Sequence, residues 1–363
     1  MSIAFTSDRW ERIREDYAAW WAGDLKRPLI HMVIRGRDPE RPAPPLPYRH
    51  FTASYDHAVP AEDIVDVWDY ELSHYRFLGD AFPSVWPNFG PGVAAAFLGG
   101  GLDPQPDTVW FHPPPGIDEL CDVRLEYQPD NIHLRRVKDI CRAAVERWQG
   151  AVQVGMTDLG GILDILQTFR PGEALLMDLC EQPDLVKDLC WQCHDLWWRY
   201  FHEMAGVLQP ANPGFTAWTP IFSSGPYYML QCDFAYMIGP AMFDEFVKPE
   251  LAASCGRLAN AFYHLDGKGQ LGHLDSLLSI PGLKGVQWIP GAGQPPCDEW
   301  PEVYRKIRGA GKLVQLWGDP ATLDTVVRQI GSPEGIILIT EVLPSQEQEA
   351  RDFLRRYGAR HDG

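Results

Sequence analysis

Apolar residues recur at helical spacing at Trp10, Ile13, Tyr17, Trp20 and Trp21, which predicts a helix over 7–22 closed by Gly23. After Arg27-Pro28, the run from Leu29 to Ile34 reads as a strand. Further apolar runs predict strands at 84–88, 152–156, 215–219, 261–264, 285–289, 312–316 and 335–340. Helical patterns occupy 131–149, 161–169, 183–206, 240–260, 270–278, 301–309, 321–330 and 345–357. That makes eight strands, mostly separated by helices. Repeated β-helix-β units imply parallel strands with right-handed crossovers. The pattern therefore predicts an α/β fold, a closed (β/α)8 TIM barrel, with a doubly wound open sheet as the alternative. Such a barrel needs roughly 250 residues. The surplus of this 363-residue chain falls to an N-terminal excursion at 35–80 and a loop insertion at 99–130, within one domain over 1–363. The excursion opens on a proline-rich stretch and carries a helical pattern over 61–79. The insertion is rich in glycine, proline and acidic residues and is expected to hold short strands.

Charge narrows the classes of partner. There are 49 acidic against 32 basic residues, a formal net charge of -17, and such a surface repels nucleic acid and anionic membranes. There is no run of about 18 apolar residues, so no membrane span is expected. The stretch Met1 to Trp10 has no basic region followed by an apolar segment, so no secretory signal is expected. Eight scattered cysteines read as reduced thiols, which fits a cytoplasmic protein.

The densest chemistry lies in Ala261-Phe-Tyr-His-Leu-Asp-Gly-Lys-Gly269. A short apolar run delivers His264 and Asp266 onto a glycine-flanked turn. In a βα barrel the C-terminal strand ends build the active site, so these two residues are expected to ligate a metal or perform acid-base chemistry. The plainer alternative is a histidine fixed by the backbone and a carboxylate capping the next helix. Asp158 follows another apolar run and is a candidate catalytic carboxylate or an N-cap; Asp164 is either a substrate contact or a helix-dipole partner. Gln287 and Trp288 sit at the next strand end, where only one of the two can point inward at a given level. Trp218, Tyr263, Gln287, Trp288 and Asp233 are the expected substrate contacts. The aromatic ones among them either wall a small flat or ammonium-bearing ligand or simply pack the fold. Cys190-Trp-Gln-Cys193-His194 has the haem-attachment spelling, but it lies in an amphipathic helical pattern and reads as two buried thiols one turn apart. Gly291-Ala-Gly293 is a weak phosphate-loop signal that a simple turn explains equally well.

Several blocks together resemble the uroporphyrinogen decarboxylase superfamily. They are Gln231-Cys-Asp-Phe-Ala-Tyr-Met-Ile-Gly-Pro through Pro249, Tyr263-His-Leu-Asp-Gly267, Gly285-Val-Gln-Trp-Ile-Pro-Gly291 and Gly335-Ile-Ile-Leu-Ile-Thr-Glu341. The likeness covers roughly residues 150–360 and is looser before them. It implies a (β/α)8 barrel, often a homodimer, acting either as a porphyrinogen decarboxylase or as a zinc-dependent methyltransferase serving corrinoid proteins or coenzyme M. The decarboxylase's paired-arginine signature is missing after the first strand, where the chain reads His31-Met-Val-Ile-Arg-Gly-Arg37. A porphyrinogen with eight carboxylates needs several fixed cations, so that substrate does not fit. The methyltransferase branch holds zinc with a His-x-Cys pair and a later cysteine. This chain keeps His264, has Asp266 in place of the thiolate, and offers Glu341 near the last strand end.

The expected function is accordingly a methyltransferase in which His264, Asp266 and Glu341 hold a divalent metal, with Asp158 beside them. Zinc suits a nitrogen–oxygen ligand set, which also admits Mn2+ or Fe2+. No corrinoid-binding module is evident in the sequence, so any cobalamin would arrive on a separate corrinoid protein. The rival enzyme is a metal-free decarboxylase or other lyase on a small carboxylate, with His264 as proton donor and Arg35, Arg37 or Arg170 as anchor. A non-catalytic sugar or amine binder is the third reading.

Overall fold

Strands buried on both faces are written as near-continuous apolar runs, and parallel sheets are built from them. The computed structural model describes residues 3, 5–209 and 211–360; Met1, Ser2 and Ala4 of the N-terminal stretch lie outside them. Eleven strands are present among the described residues: β1 Leu29–Arg35, β2 Tyr75–Gly79, β3 Ser84–Val85, β4 Gly101–Pro104, β5 Val109–His112, β6 Gln153–Val154, β7 Tyr227–Gln231, β8 Asn260–Asp266, β9 Leu283–Ile289, β10 Leu313–Trp317 and β11 Ile336–Val342. Seven form one sheet in the order β2-β1-β11-β10-β9-β8-β7. Only the β1–β2 pair is antiparallel. β3 pairs with β6 in parallel, and β4 with β5 as a hairpin in the expected insertion. Beyond the β3–β6 ladder, the Met156 N–H donates to the Thr216 carbonyl at 2.9 Å. The fold is thus mixed α/β with a mostly parallel sheet.

Several elements depart from the periodicity. The helical pattern at 61–79 stops at Ser73 and gives way to β2, because Tyr75 and Phe77 are strand formers that pair with Arg35 and Val33 at the sheet edge. The strand expected at 215–219 is reduced to a single bridge between Phe215 and Ser223, and the ladder strand is β7 instead. The helix expected over 240–260 carries a π-helical turn at Phe243–Val247 before Lys248–Arg257. Pro249 has no N–H to continue an α pattern, and a wider turn absorbs the missing bond. A helix at Ala174–Glu181 was not evident in the pattern. No helix among the described residues is long and apolar enough to cross a membrane.

The amphipathic helix Ser7–Ala22 packs its aromatic stripe on the sheet. Trp20 stacks on Phe262 with ring centroids 5.9 Å apart, and Tyr17 meets Phe82 and Phe222 edge-on at 5.9 Å each. Phe262 lies opposite Gly285 in the β8–β9 ladder. A Cβ on Gly285 would fall 2.2 Å from the Phe262 ring, so glycine is required there. Phe262 belongs to the first half of β8, whereas His264 and Asp266 lie towards its end. The helix therefore fills the end of the sheet face that the site leaves free.

The start of β1 is fixed by charge. Arg27 donates two parallel hydrogen bonds to Asp80, 2.7 and 2.9 Å, and the same buried carboxylate accepts the Ile30 N–H at 2.8 Å. Arg27 also pairs with Asp16 at 3.1 Å, so removing the Asp80 charge leaves one partner in place and costs about 1–3 kcal/mol, less than a fully orphaned buried charge. Asp80→Asn should lower unfolding stability by about that amount, read as a shift of the urea midpoint with unchanged slope.

Candidate metal centre

Side chains alternate between the faces of a strand, and residues paired across a parallel ladder share a face. The register places Gln231 opposite His264, His264 opposite Gln287, and Gln287 opposite Gln315. Four polar side chains thus form one row across β7, β8, β9 and β10, inside an otherwise apolar core. Asp266, two residues beyond His264, projects on the same side one step nearer the C-terminal end. Gly267, at φ 85°, then turns the chain sharply in a conformation that favours glycine.

Asp233, in the turn that follows β7, completes the group. One ligand atom each from Asp233, His264 and Asp266 lie within 4.8 Å of one another. The His264 Nδ1–H donates to Gln287 Oε1, which leaves Nε2 facing Asp266 Oδ2 at 3.7 Å. A metal-binding histidine is usually fixed in this way, with one nitrogen donating to an oxygen and the other free for the ion. The Trp218 ring stands perpendicular to the imidazole, 5.1 Å between centroids. Ligand atoms around a tetrahedral ion with bonds near 2.1 Å are about 3.4 Å apart. Small side-chain rotations close the present spacing to that value, so one nitrogen and two carboxylate oxygens fit a divalent ion. Asp233, Asp266 and Lys268 open into a cavity of about 340 Å³ whose far wall is the Pro290–Gln294 turn.

Two further carboxylates crowd the group. Asp164 accepts the backbone N–H groups of Asp233 at 3.0 Å and Phe234 at 2.7 Å, and so fixes the turn that carries Asp233. Burial and then the neighbouring Asp233 charge raise its carboxyl above the usual range. Asp158 is 6% exposed, accepts the Gly160 N–H at 2.9 Å and lies 3.5 Å from the Tyr228 hydroxyl. Burial pushes it up to about 7, against the Gly160 hydrogen bond and with a further push from Asp233. Burial also raises Asp233, opposed by His264 and reinforced by Asp266. For His264, burial disfavours the imidazolium, but Asp266, Asp233 and Gln287 together outweigh it and hold the group above its usual value.

The remaining expected residues scatter. Glu341, expected as the third ligand, is outside this group: it lies at the end of β11, opposite Val33 of β1, and lines other cavities. Asp233, expected only to touch substrate, stands in its place. Its signal was the Gln-Cys-Asp ending of an apolar run at 227–231, obscured because 215–219 had already supplied a strand. Tyr263 and Trp288 point to the opposite face from His264 and Gln287. Tyr263 is fully buried with its hydroxyl 3.4 Å from Gln270, and Trp288 packs edge-on against Trp300. Neither can enclose a ligand beside His264; of the expected aromatics only Trp218 reaches it. Arg170 cannot anchor a substrate carboxylate, since it is buried and paired with Asp178 at 2.6 Å. Cys190 and Cys193 are buried in the helix Pro183–Leu208, where His194 faces Glu250 at 3.6 Å.

No protein-family model matches this chain, and no curated protein matches it.

The raised Asp158 carboxyl has a consequence for stability. Between pH 4 and about 7 the folded protein keeps a proton that the unfolded chain has released. Stability from this group therefore falls as pH rises through that window and is lowest above it. Asp158→Asn keeps the carbonyl oxygen that accepts the Gly160 N–H and removes the charge. With chelator present, the variant should match the native protein near pH 4. It should exceed it by up to about 4 kcal/mol above pH 7, read from urea unfolding at both pH values.

Proposed function

We propose that this chain is a divalent-metal-dependent enzyme, a methyltransferase of the kind that the resemblance implies, built on a closed (β/α)8 barrel. The parallel order β7-β8-β9-β10-β11-β1 supports the barrel, as does the β3–β6 pair. These are the neighbours that eight strands closing in chain order would have. The observation that carries the metal reading is the convergence of Asp233, His264 and Asp266 at adjoining strand ends.

In this reading His264 Nε2 and one oxygen from each of Asp233 and Asp266 hold the ion, which would supply Lewis acidity at the methyl donor or acceptor. Gln287 holds the imidazole in the tautomer that frees Nε2. Asp164 keeps the Asp233 turn in place. Asp158, whose carboxyl burial raises to near neutrality, would be the group to exchange a proton with a substrate that reached it beside Asp233. Trp218 shields one side of the imidazole from water. A corrinoid protein would be a separate partner in this chemistry. The raised His264 beside Asp266 also favours one rival, a metal-free lyase with His264 as proton donor.

Metal content separates the two. Protein purified without chelator should carry about one divalent ion per chain by elemental analysis. His264→Ala and Asp266→Asn should each lose it while circular dichroism and unfolding remain close to native. Gln287→Leu should keep the ligands but weaken metal affinity by about 10–100-fold, measured by competition with a chromogenic chelator. Native protein free of metal, with no affinity for Zn2+, Mn2+ or Fe2+, would overturn the metal reading and leave the lyase.

A further inference from the structure

A second cavity of about 340 Å³ opens where β1 meets β11, away from Asp233, His264 and Asp266. His31 and Arg35 come from β1, and Glu341 from β11. Val33 lies opposite Glu341 and His31 opposite Ile339, so the three share a face. Tyr48, Tyr75 and Trp86 supply aromatic walls.

The charges here are unevenly matched. Arg35 donates to Glu71 at 3.0 Å and lies over the Tyr75 ring at 5.6 Å, so its charge is already answered. Glu341 makes no hydrogen bond or ion pair among the described residues, yet it is close enough to Tyr75 for its charge to add to burial in raising that phenol. The open charge of the cavity is therefore negative. At its base His31 is 5% exposed, and neither ring nitrogen has a hydrogen-bond partner among the described residues. Burial pushes its imidazolium down to about 3, so the ring is neutral and can accept a hydrogen bond. An unpaired carboxylate, aromatic faces and a buried free acceptor suit one ligand chemistry. A carboxylate ligand would meet Glu341 with like charge and find the guanidinium taken.

We infer that this cavity binds a small organic ammonium ion, with Glu341 as its counter-ion, Tyr48, Tyr75 and Trp86 around the cation, and His31 accepting its N–H. The site is distinct from the metal centre and stands whether or not that centre holds an ion.

The test is calorimetric titration of the full chain at pH 7.5 in EDTA with benzylamine and trimethylamine hydrochlorides. The neutral isostere benzyl alcohol and the anion benzoate serve as controls. The expected result is saturable binding of at least one amine, with benzyl alcohol and benzoate weaker by about tenfold or more. Glu341→Gln, a near-isosteric change at an exposed position, should weaken the amine by about tenfold, and Tyr48→Leu should also weaken it. Asp266→Asn should leave it unchanged. Several outcomes would overturn the assignment: no amine binding up to about 10 mM, equal binding of benzyl alcohol, preference for benzoate, or unaltered affinity in Glu341→Gln. Loss of amine binding in Asp266→Asn with retention in Glu341→Gln would assign the cation to the acidic cluster instead. That result would leave the metal reading intact.

Discussion

The in-register pairing of β7, β8, β9 and β10 is the constraint on which the site depends. A slip of one residue in any of these ladders would turn that strand's side chains to the other face. His264 would then face the helices, Gln287 would no longer reach it, and Tyr263 or Trp288 would replace them inside. The register is held by the contrast between the two faces. Tyr263, Leu265, Val286 and Trp288 are fully or almost fully buried on one side, while Phe262 closes over Gly285 on the other. The packing of Phe262 under Trp20 therefore belongs to the site, although it touches none of its polar atoms.

Electrostatics explains why one end of this sheet is so acidic. Asp158, Asp164, Asp233 and Asp266 gather around a single imidazole, and four full negative charges in so small a volume would repel strongly. The fold eases this in three ways. Burial keeps Asp158 largely protonated until about neutrality. Asp164 is steadied by two backbone N–H groups. His264 is drawn towards its cationic form by the carboxylates beside it. A divalent cation would relieve the same repulsion more completely than a proton on His264, which gives the metal reading a driving force beyond ligand geometry.

The sequence made the C-terminal half legible because its strands are short apolar runs bounded by glycine, proline and polar residues. The paired strands around 261–264, 285–289, 312–316 and 335–340 stand where the pattern put them, with ends shifted by at most two residues. The region before 260 was harder. Phe215 to Thr219 and Tyr227 to Gln231 are both apolar, and no local signal distinguishes the one that joins the ladder. Tyr75 to Gly79 continues a helical spacing and becomes a strand only because an edge of β1 is available to pair with it. At the site, His264, Asp266 and Gln287 could be read from alternation and position. Asp233 could not be recognised as their neighbour without knowing that β7 lies beside β8, and Glu341 drew attention from a resemblance rather than from proximity. The opposite facing of Trp288 and Gln287 was implicit in the alternation, but which of them faced inward required the register.

The interior row also carries a cost that helps to locate function. Gln315 is wholly buried with neither its amide oxygen nor its nitrogen partnered, and the Gln287 nitrogen is likewise without a partner. An unsatisfied buried polar group costs about 1–3 kcal/mol, whereas leucine or methionine of similar volume would pack there without it. His31, on the same sheet and also unpartnered, adds to the sum. These groups do not help the core cohere. His31 lines the cavity beside Glu341, and Gln287 holds the His264 imidazole through its amide oxygen. At each of these two positions the core gives up packing stability to keep a polar atom, in one case to orient an imidazole and in the other to face a cavity.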